Sequence, residues 1–192
     1  GRSQVETDYL NNEIGKANLS KYTGNIAFVG FTAPKVMWVH KNEPEKFAKI
    51  AKILLPKDYL AYRLSGVFAT DVSDASGTLY FDCENRKWSD EMLKILDMKP
   101  EWLPQVFESY EPIGKILPEI AEATGISKDC VIAAGAGDNA AAAVGMGIIG
   151  NGGCNISLGT SGTIFIASST FNNDEANSLH AFDHADGGFH LM

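Results

Sequence analysis

The feature that most constrains the fold is a strand–turn–helix pattern between residues 131 and 144. Residues 131–134 form a short apolar run, residues 135–138 read Gly-Ala-Gly-Asp, and residues 139–144 are rich in alanine. A strand that enters a helix through a glycine turn is typical of α/β folds. Ligands of such folds bind beyond the carboxyl end of a strand. The sequence therefore predicts an α/β chain with a ligand site at Asp138.

Two interpretations of Asp138 follow from its position at the start of a predicted helix. Its carboxylate can accept a proton from a hydroxyl group as a general base, or it can cap the helix as most such residues do. The two roles are compatible. The glycines before Asp138 allow the backbone to approach a ligand closely.

A second glycine motif, Ser-Leu-Gly-Thr-Ser-Gly-Thr, occupies residues 157–163. It joins two strand-like segments, 154–158 and 163–167, and so predicts a hairpin. Its two glycines free backbone N–H groups for anion binding, and Thr160 and Ser161 add hydroxyl donors. The motif suits a terminal phosphate but lacks the lysine of a P-loop. A plain hairpin turn is the alternative.

The acidic segment 70–77 reads Thr-Asp-Val-Ser-Asp-Ala-Ser-Gly. Its acids lie three apart, as they could in a metal loop, but the spacing and terminal glutamate of an EF-hand are missing. We predict a solvated turn that bonds to itself. For His180, His184 and His190 we predict structural or pocket-lining roles instead of a metal site, because no H-E-x-x-H pattern is present.

Local signals predict several further elements. Asn42, followed by Pro and Glu, predicts the start of a helix that continues with apolar spacing to residue 54. Residues 57–64 and 117–124 read as helices that glycine stops. Ser89 reads as the cap of a short helix, and residues 78–81 as a strand.

The composition of the chain disfavours nucleic-acid and membrane partners. The net charge of −8 disfavours a nucleic-acid backbone, and no apolar run approaches the ~20 residues of a membrane span. Three scattered cysteines fit a reducing cytoplasm better than a disulfide framework. The chain begins without Met and shows no targeting segment, so we expect a fragment of a longer, cytoplasmic protein.

Five motifs in order resemble the FGGY family of carbohydrate kinases. They occupy residues 30–42 (G-F-T-A-P-K-V-M-W-V-H-K-N), 54–60, 71–77, 135–139 and 157–162. Their wording is most similar to the xylulose-kinase branch of that family. The resemblance covers essentially the whole chain, and five ordered motifs are far more specific than any one of them.

The resemblance implies an α/β, actin-like and ribonuclease-H-like fold with two domains and a cleft between them. Residues 1–149 would be the carboxyl-terminal part of the first, sugar-binding domain, and residues 150–192 the beginning of the second, nucleotide-binding domain. The implied substrates are ATP, with Mg²⁺, and D-xylulose, without nucleic-acid or membrane partners. A domain boundary is expected near 145–153, where glycine is frequent.

The resemblance also implies roles for particular residues. Asp138 would be the catalytic base that takes a proton from a sugar hydroxyl, and Asn139 and Arg2 would contact the sugar. The implied phosphate loop consists of Gly159, Thr160, Ser161 and Gly162.

Members of the family also have an Asp-x-Gly-Thr phosphate loop before this region and an adenosine-binding part after it. We expect the chain alone to be inactive for that reason. Other family kinases, acting on glycerol, gluconate or another pentulose, and a non-catalytic actin-like fragment are the alternatives. Exposed strand edges also predict a possible homodimer.

Overall fold

The structure is a computed structural model that describes residues 1–159, 162–174 and 179–192. Helices and short strands alternate over the first three quarters of the chain, and strands dominate the remainder. The α-helices are α1 (Gln4–Tyr9), α2 (Lys16–Thr23), α3 (Thr32–Asn42), α4 (Pro44–Phe47), α5 (Pro56–Ser65), α6 (Val72–Ala75), α7 (Asp90–Ile95), α8 (Pro118–Thr124) and α9 (Asp138–Gly145).

The strands are short and belong to four small sheets within the described residues. They are β1 (Ala69–Asp71), β2 (Phe81–Asp82), β3 (Lys87–Trp88), β4 (Gln105–Phe107), β5 (Pro112–Lys115), β6 (Val131–Ala133), β7 (Cys154–Leu158), β8 (Gly162–Ser168), β9 (Ala181–Asp183) and β10 (Phe189–Leu191).

Two of these strand pairs, β1–β4 and β5–β6, position the segments that later meet at one pocket. Strand β1 runs parallel to β4, and β5 runs antiparallel to β6. Strand β1 ends at Asp71 and leads directly into α6, while β6 ends five residues before Asp138 and leads toward α9. The carboxyl ends of β1 and β6 therefore carry the two segments that meet at the pocket described below.

The main apolar core lies among the helices of the first half of the chain. Its buried side chains include Leu10, Leu19, Phe31, Tyr80 and Leu96. Burial of apolar area of this kind is the dominant favourable contribution to folding. No helix in residues 1–159, 162–174 or 179–192 combines the length and the apolar character needed to cross a membrane.

The last four strands form one antiparallel sheet in the order β7-β8-β10-β9. Strand β9 attaches this sheet to the helical part of the chain. The side chain of Asn25 donates to the carbonyl of Ala181 at 2.7 Å, and Ser76 Oγ donates to Asp183 Oδ2 at 3.0 Å. Arg86 pairs with the other oxygen of Asp183 at 2.8 Å. Buried polar contacts thus join the two parts.

Most predictions from local signals are confirmed. Helices α5 and α8 end at Gly66 and Gly125, which have φ angles of 76° and 75° that glycine adopts most readily. Ser89 caps α7 by accepting from the N–H of Met92. Strand β6, helix α9 and the β7–β8 pair also lie where the sequence predicts them.

Two predicted elements need correction. A helix does start at Pro44 as predicted, but Glu43 holds its N-cap position; Asn42 is the last residue of α3, and its amide donates to the carbonyl of Trp38. Helix α4 also stops at Phe47 instead of continuing to residue 54. Residues 78–81 do not form one strand, since Leu79 has a left-handed φ of 64° that breaks the extended backbone. Both segments turn to place buried side chains, Phe47 and Leu79, in the main core.

Candidate functional site

The turn before Asp138 has the geometry that its glycines predict. Gly135 has a φ of 82°, and a Cβ atom added there would lie 3.2 Å from Cδ of Lys57. A larger residue would therefore be strained in its backbone and crowded. The position that caps α9 is Gly137, and Asp138 is the first residue of the helix. The interpretation of Asp138 as the N-cap residue is therefore corrected.

The carboxylate of Asp138 is exposed, and one of its two oxygens accepts hydrogen bonds from the described residues. Its Oδ1 accepts from the backbone N–H of Asn139 at 2.7 Å and from the Asn139 amide at 3.2 Å. Its Oδ2 makes no hydrogen bond to any part of the chain that the structure describes. An acid at the first turn of a helix is favoured by the helix dipole, and Oδ2 of Asp138 is left available for other partners.

Asp138 lines a pocket of about 160 Å³. Three parts of the chain form its walls. Such a volume is below the ~300–1,000 Å³ of most drug-sized sites and suits a small ligand. The walls come from α6 and the turn after it, from the start of α9, and from β9, β10 and the residue beyond. The lining residues are Ser73, Asp74, Gly77, Gly137, Asp138, Asn139, Ala140, Phe182, His190 and Met192.

Asp74 is a pocket residue that the sequence interpretation missed. Burial raises the pKa of Asp74 to about 6; Lys57 opposes the rise, and neighbouring carboxylates, including Asp138, add to it. A half-buried acid with a raised pKa beside a second acid is a common feature of functional sites. Asp74 can therefore either accept or donate a hydrogen bond near neutral pH.

Replacing Asp74 by Asn is expected to change how stability depends on pH. Between pH 3.8 and about 6 the folded chain binds a proton that the unfolded chain does not, so wild-type stability falls as pH rises through this range. Asn removes this loss. The melting temperature of the variant minus that of wild type should therefore be larger at about pH 8 than at about pH 4. Scanning calorimetry of both proteins at the two pH values measures this difference. The same difference in melting temperature at both pH values would contradict a half-buried Asp74 that binds a proton in the folded chain.

A charged network lies behind the pocket and is centred on Lys57. Its ammonium group is 2.9 Å from carboxylate oxygens of Asp58 and Asp71 and donates to the carbonyl of Ala134 at 3.0 Å. Burial lowers the pKa of Lys57, but the charges of Asp71 and Asp58 outweigh burial and raise it. Lys57 therefore stays charged and holds the end of β6.

Asp71 is fully buried and its second oxygen accepts three hydrogen bonds. The donors are the backbone N–H of Ser73 at 2.9 Å, the hydroxyl of Ser73 at 2.5 Å and the hydroxyl of Ser109 at 2.6 Å. Ser73 Oγ in turn accepts from the N–H of Gly137 at 3.0 Å. The predicted solvated turn at 70–77 is therefore wrong: Asp71 caps α6 as a local turn residue would, but the segment is buried.

The histidines of β10 and the loop before it are packed among aromatic rings. His190 stacks on Phe165 with ring centres 4.0 Å apart and lines the pocket. Burial, with the neighbouring His184, lowers the pKa of His190 to about 3, so the ring is neutral. His184 Nε2 lies 2.9 Å from the carbonyl of Ile148. Across residues 1–159, 162–174 and 179–192, no three His, Cys, Asp or Glu side chains form a metal-binding group.

Arg2 lies in a different pocket from Asp138. Its guanidinium sits 4.8 Å from the centre of the Trp38 ring, and both residues line a separate cavity with Lys35 and Glu43. The Trp38 ring, on α3, therefore makes a cation–π contact with Arg2. A contact between Arg2 and a sugar stays a prediction.

The predicted phosphate loop lies in the β7–β8 hairpin. Gly159 follows β7, and Gly162 begins β8 and pairs with Leu158. Thr160 and Ser161 lie outside the described residues. Phosphate binding by these four residues stays a prediction.

Known proteins resemble this chain over its whole length. The family model of the N-terminal domain of the FGGY family of carbohydrate kinases matches residues 1–145. Xylulose kinase of Escherichia coli (strain K12) is 44% identical over 193 aligned residues, which cover 100% of this chain and 39% of that protein.

Solved structures of sugar kinases are also similar to this chain over its whole length. A xyloylose kinase from Brucella ovis superposes with a TM-score of 0.94 at 41% identity and covers 100% of this chain and 39% of its own. Gluconate kinase from Lactobacillus acidophilus has a TM-score of 0.91 at 26% identity and covers 99% of this chain and 38% of its own. The predicted α/β, actin-like fold is confirmed. The chain spans about two fifths of the length of these relatives, 38–39%.

Proposed function

Because this chain belongs to the FGGY family of carbohydrate kinases, we propose that it is part of a longer enzyme that transfers phosphate from ATP to a sugar. The proposed reaction is the conversion of D-xylulose to D-xylulose 5-phosphate. The sugar is chosen because the protein that is 44% identical to this chain is a xylulose kinase. The chain alone is proposed to be inactive, since it spans 39% of that relative.

The observation that carries this proposal is the position of Asp138. Its carboxylate stands at the carboxyl end of β6, faces the pocket and leaves Oδ2 without a hydrogen bond in the described part of the chain. A carboxylate so placed can take the proton of a sugar hydroxyl as that oxygen attacks the γ-phosphate. Phosphoryl transfer depends mainly on positioning and on neutralising charge, so one aligned base is a meaningful contribution.

We propose that Asn139 and Asp74 hold the sugar beside this base. Both line the pocket, and an amide and a carboxyl group can bind hydroxyls as donor and acceptor. Phe182 and Met192 supply an apolar wall against which the carbon chain can lie. A small pocket with a few convergent polar groups and one apolar wall fits a short polyol.

ATP and Mg²⁺ are proposed to bind mainly outside this chain. The proposed phosphate contacts here are Gly159, Thr160, Ser161 and Gly162 of the hairpin. The described residues contain no group of three His, Cys, Asp or Glu side chains that could hold a metal ion. Residues 1–149 and 150–192 are proposed to belong to the first and second domain.

Apolar side chains on the last sheet also suggest that the chain is one part of a larger assembly. Ile156, Leu158 and Ile164 are exposed on β7 and β8, as expected for a face that further polypeptide or a second copy covers. We propose the remainder of the enzyme as the cover. A homodimer is the alternative, and light scattering of the full-length enzyme distinguishes the two.

A panel of sugars tests the proposal. The full-length enzyme with MgATP is expected to release ADP with D-xylulose at a higher kcat/KM than with gluconate, glycerol or other pentuloses. The solved gluconate kinase with the same fold makes gluconate the second candidate. Preference for gluconate would keep the kinase and overturn the choice of sugar. No ADP release with any member of the panel would favour a non-catalytic actin-like protein.

A further inference from the structure

We propose that Ser73 is a positioning residue for Asp138 and acts through the backbone of Gly137. The inference rests on the proposed kinase function, because it assigns how the proposed base is held. Ser73 and Gly137 are 64 residues apart in the sequence, yet the hydroxyl oxygen of one accepts from the N–H of the other at 3.0 Å. That N–H belongs to the residue directly before Asp138.

The N–H of Gly137 can only donate in this hydrogen bond, and Asp71 fixes where the proton of the Ser73 hydroxyl points. A carboxylate only accepts, so the proton of the Ser73 hydroxyl is committed to Asp71 Oδ2 at 2.5 Å. The lone pairs of the Ser73 oxygen are then the part that faces Gly137. A hydroxyl that donates to a carboxylate is also a better acceptor, because hydrogen bonds in a chain polarise one another.

The same network holds the other side of the turn. Lys57 contacts Asp71 and donates to the carbonyl of Ala134, while Ser73 binds the N–H of Gly137. Between these two anchors lie only Gly135, whose N–H donates to the carbonyl of Ser109 at 3.1 Å, and Ala136. Because glycine with positive φ has little preference of its own for one conformation, the anchors determine the path of the turn and thus the direction of α9.

The consequence for the site is geometric. Asp138 is exposed, and within the described residues its side chain hydrogen-bonds only to the neighbouring Asn139. Its position relative to the pocket therefore depends on where the backbone before it is held. A displacement of about 1 Å in a reacting group can cost ~100-fold in rate. The rate of the chemical step should consequently depend on Ser73, although Ser73 is not proposed to react.

The test compares Ser73→Ala with Ser109→Ala in the full-length enzyme. Both hydroxyls donate to the same oxygen of Asp71, at 2.5 and 2.6 Å, and both residues are 7% exposed. Of these two serine side chains, that of Ser73 contacts the turn before Asp138; Ser109 reaches the turn through its carbonyl, which the Ala variant keeps. The two variants should lose similar thermal stability.

We expect Ser73→Ala to lower kcat with D-xylulose by about 10- to 100-fold with a smaller change in KM, and Ser109→Ala to leave kcat within about twofold. Ser73→Thr retains the hydroxyl and should recover most of kcat. Equal kcat values for the two Ala variants, or a Ser73→Thr variant no better than Ser73→Ala, would overturn the inference. If the wild-type enzyme turns over no sugar, the proposed function has failed instead. If Ser73→Ala does not fold, Ser73→Thr decides alone: a folded Ser73→Thr variant with kcat about tenfold or more below wild type would overturn the inference, because the hydroxyl is retained.

Discussion

Replacing Asp138 by Asn in the full-length enzyme is expected to lower kcat for sugar phosphorylation by about 100-fold or more. Asn keeps the size of the side chain but cannot take a proton, and general-base catalysis contributes about 10²–10⁴-fold. The sugar should still bind, because an amide also forms hydrogen bonds with hydroxyls. Coupled ADP release with MgATP and D-xylulose measures kcat and KM.

Asp90→Asn is a matched control for this variant. Asp90 is the first residue of α7 as Asp138 is the first residue of α9, and both side chains are exposed. Each substitution removes one negative charge from the start of a helix, which costs roughly 0.3–1 kcal/mol of stability. Only the Asp138 variant should lose activity. If both variants keep the wild-type kcat, Asp138 is a helix-stabilising acid and the base lies elsewhere.

The local parts of the site can be predicted from the sequence because their signals are local. Glycine at residues 135 and 137, an acid at 138 and an alanine-rich run after it specify a strand, a turn and a helix within fourteen residues, 131–144. The positive φ of Gly135 is a property that one residue type satisfies. The β7–β8 hairpin is predicted for a similar reason, since its strands are separated only by their own turn.

The pocket neighbours of Asp138 could not be predicted because they come from distant parts of the chain. Asp74 and Ser73 lie beside the α9 segment only in the folded structure. In isolation the segment 70–77 has the composition of a surface turn. Its alternation of Asp and Ser is compatible with burial only because Lys57 and Ser109 satisfy Asp71 there, and neither is near it in sequence. The one sequence feature that could have indicated burial is the presence of Val72 and Ala75 among the polar residues of this segment.

Replacing Lys57 by Met is expected to produce the largest loss of stability of the substitutions considered. Its ammonium group is the nearest cation to Asp58 and Asp71, whose side chains are 1% and 0% exposed. Removing one partner of a buried ion pair leaves an uncompensated charge and costs about 3–5 kcal/mol. Urea unfolding of the full-length enzyme measures the loss. Activity should fall as well, because the carbonyl of Ala134 also loses its donor.

Lys115→Met is the matched control, because Lys115 forms an ion pair of similar length, 2.8 Å, with Asp129. Those side chains are 62% and 86% exposed, and exposed pairs contribute about 0–1 kcal/mol. Adding Asp71→Asn to Lys57→Met should restore part of the lost stability, since it removes one of the two buried charges that lack a partner. It should not restore kcat, because the donor to Ala134 is still missing. Equal losses for the Lys57 and Lys115 variants would show that burial of the carboxylates does not determine the strength of this network.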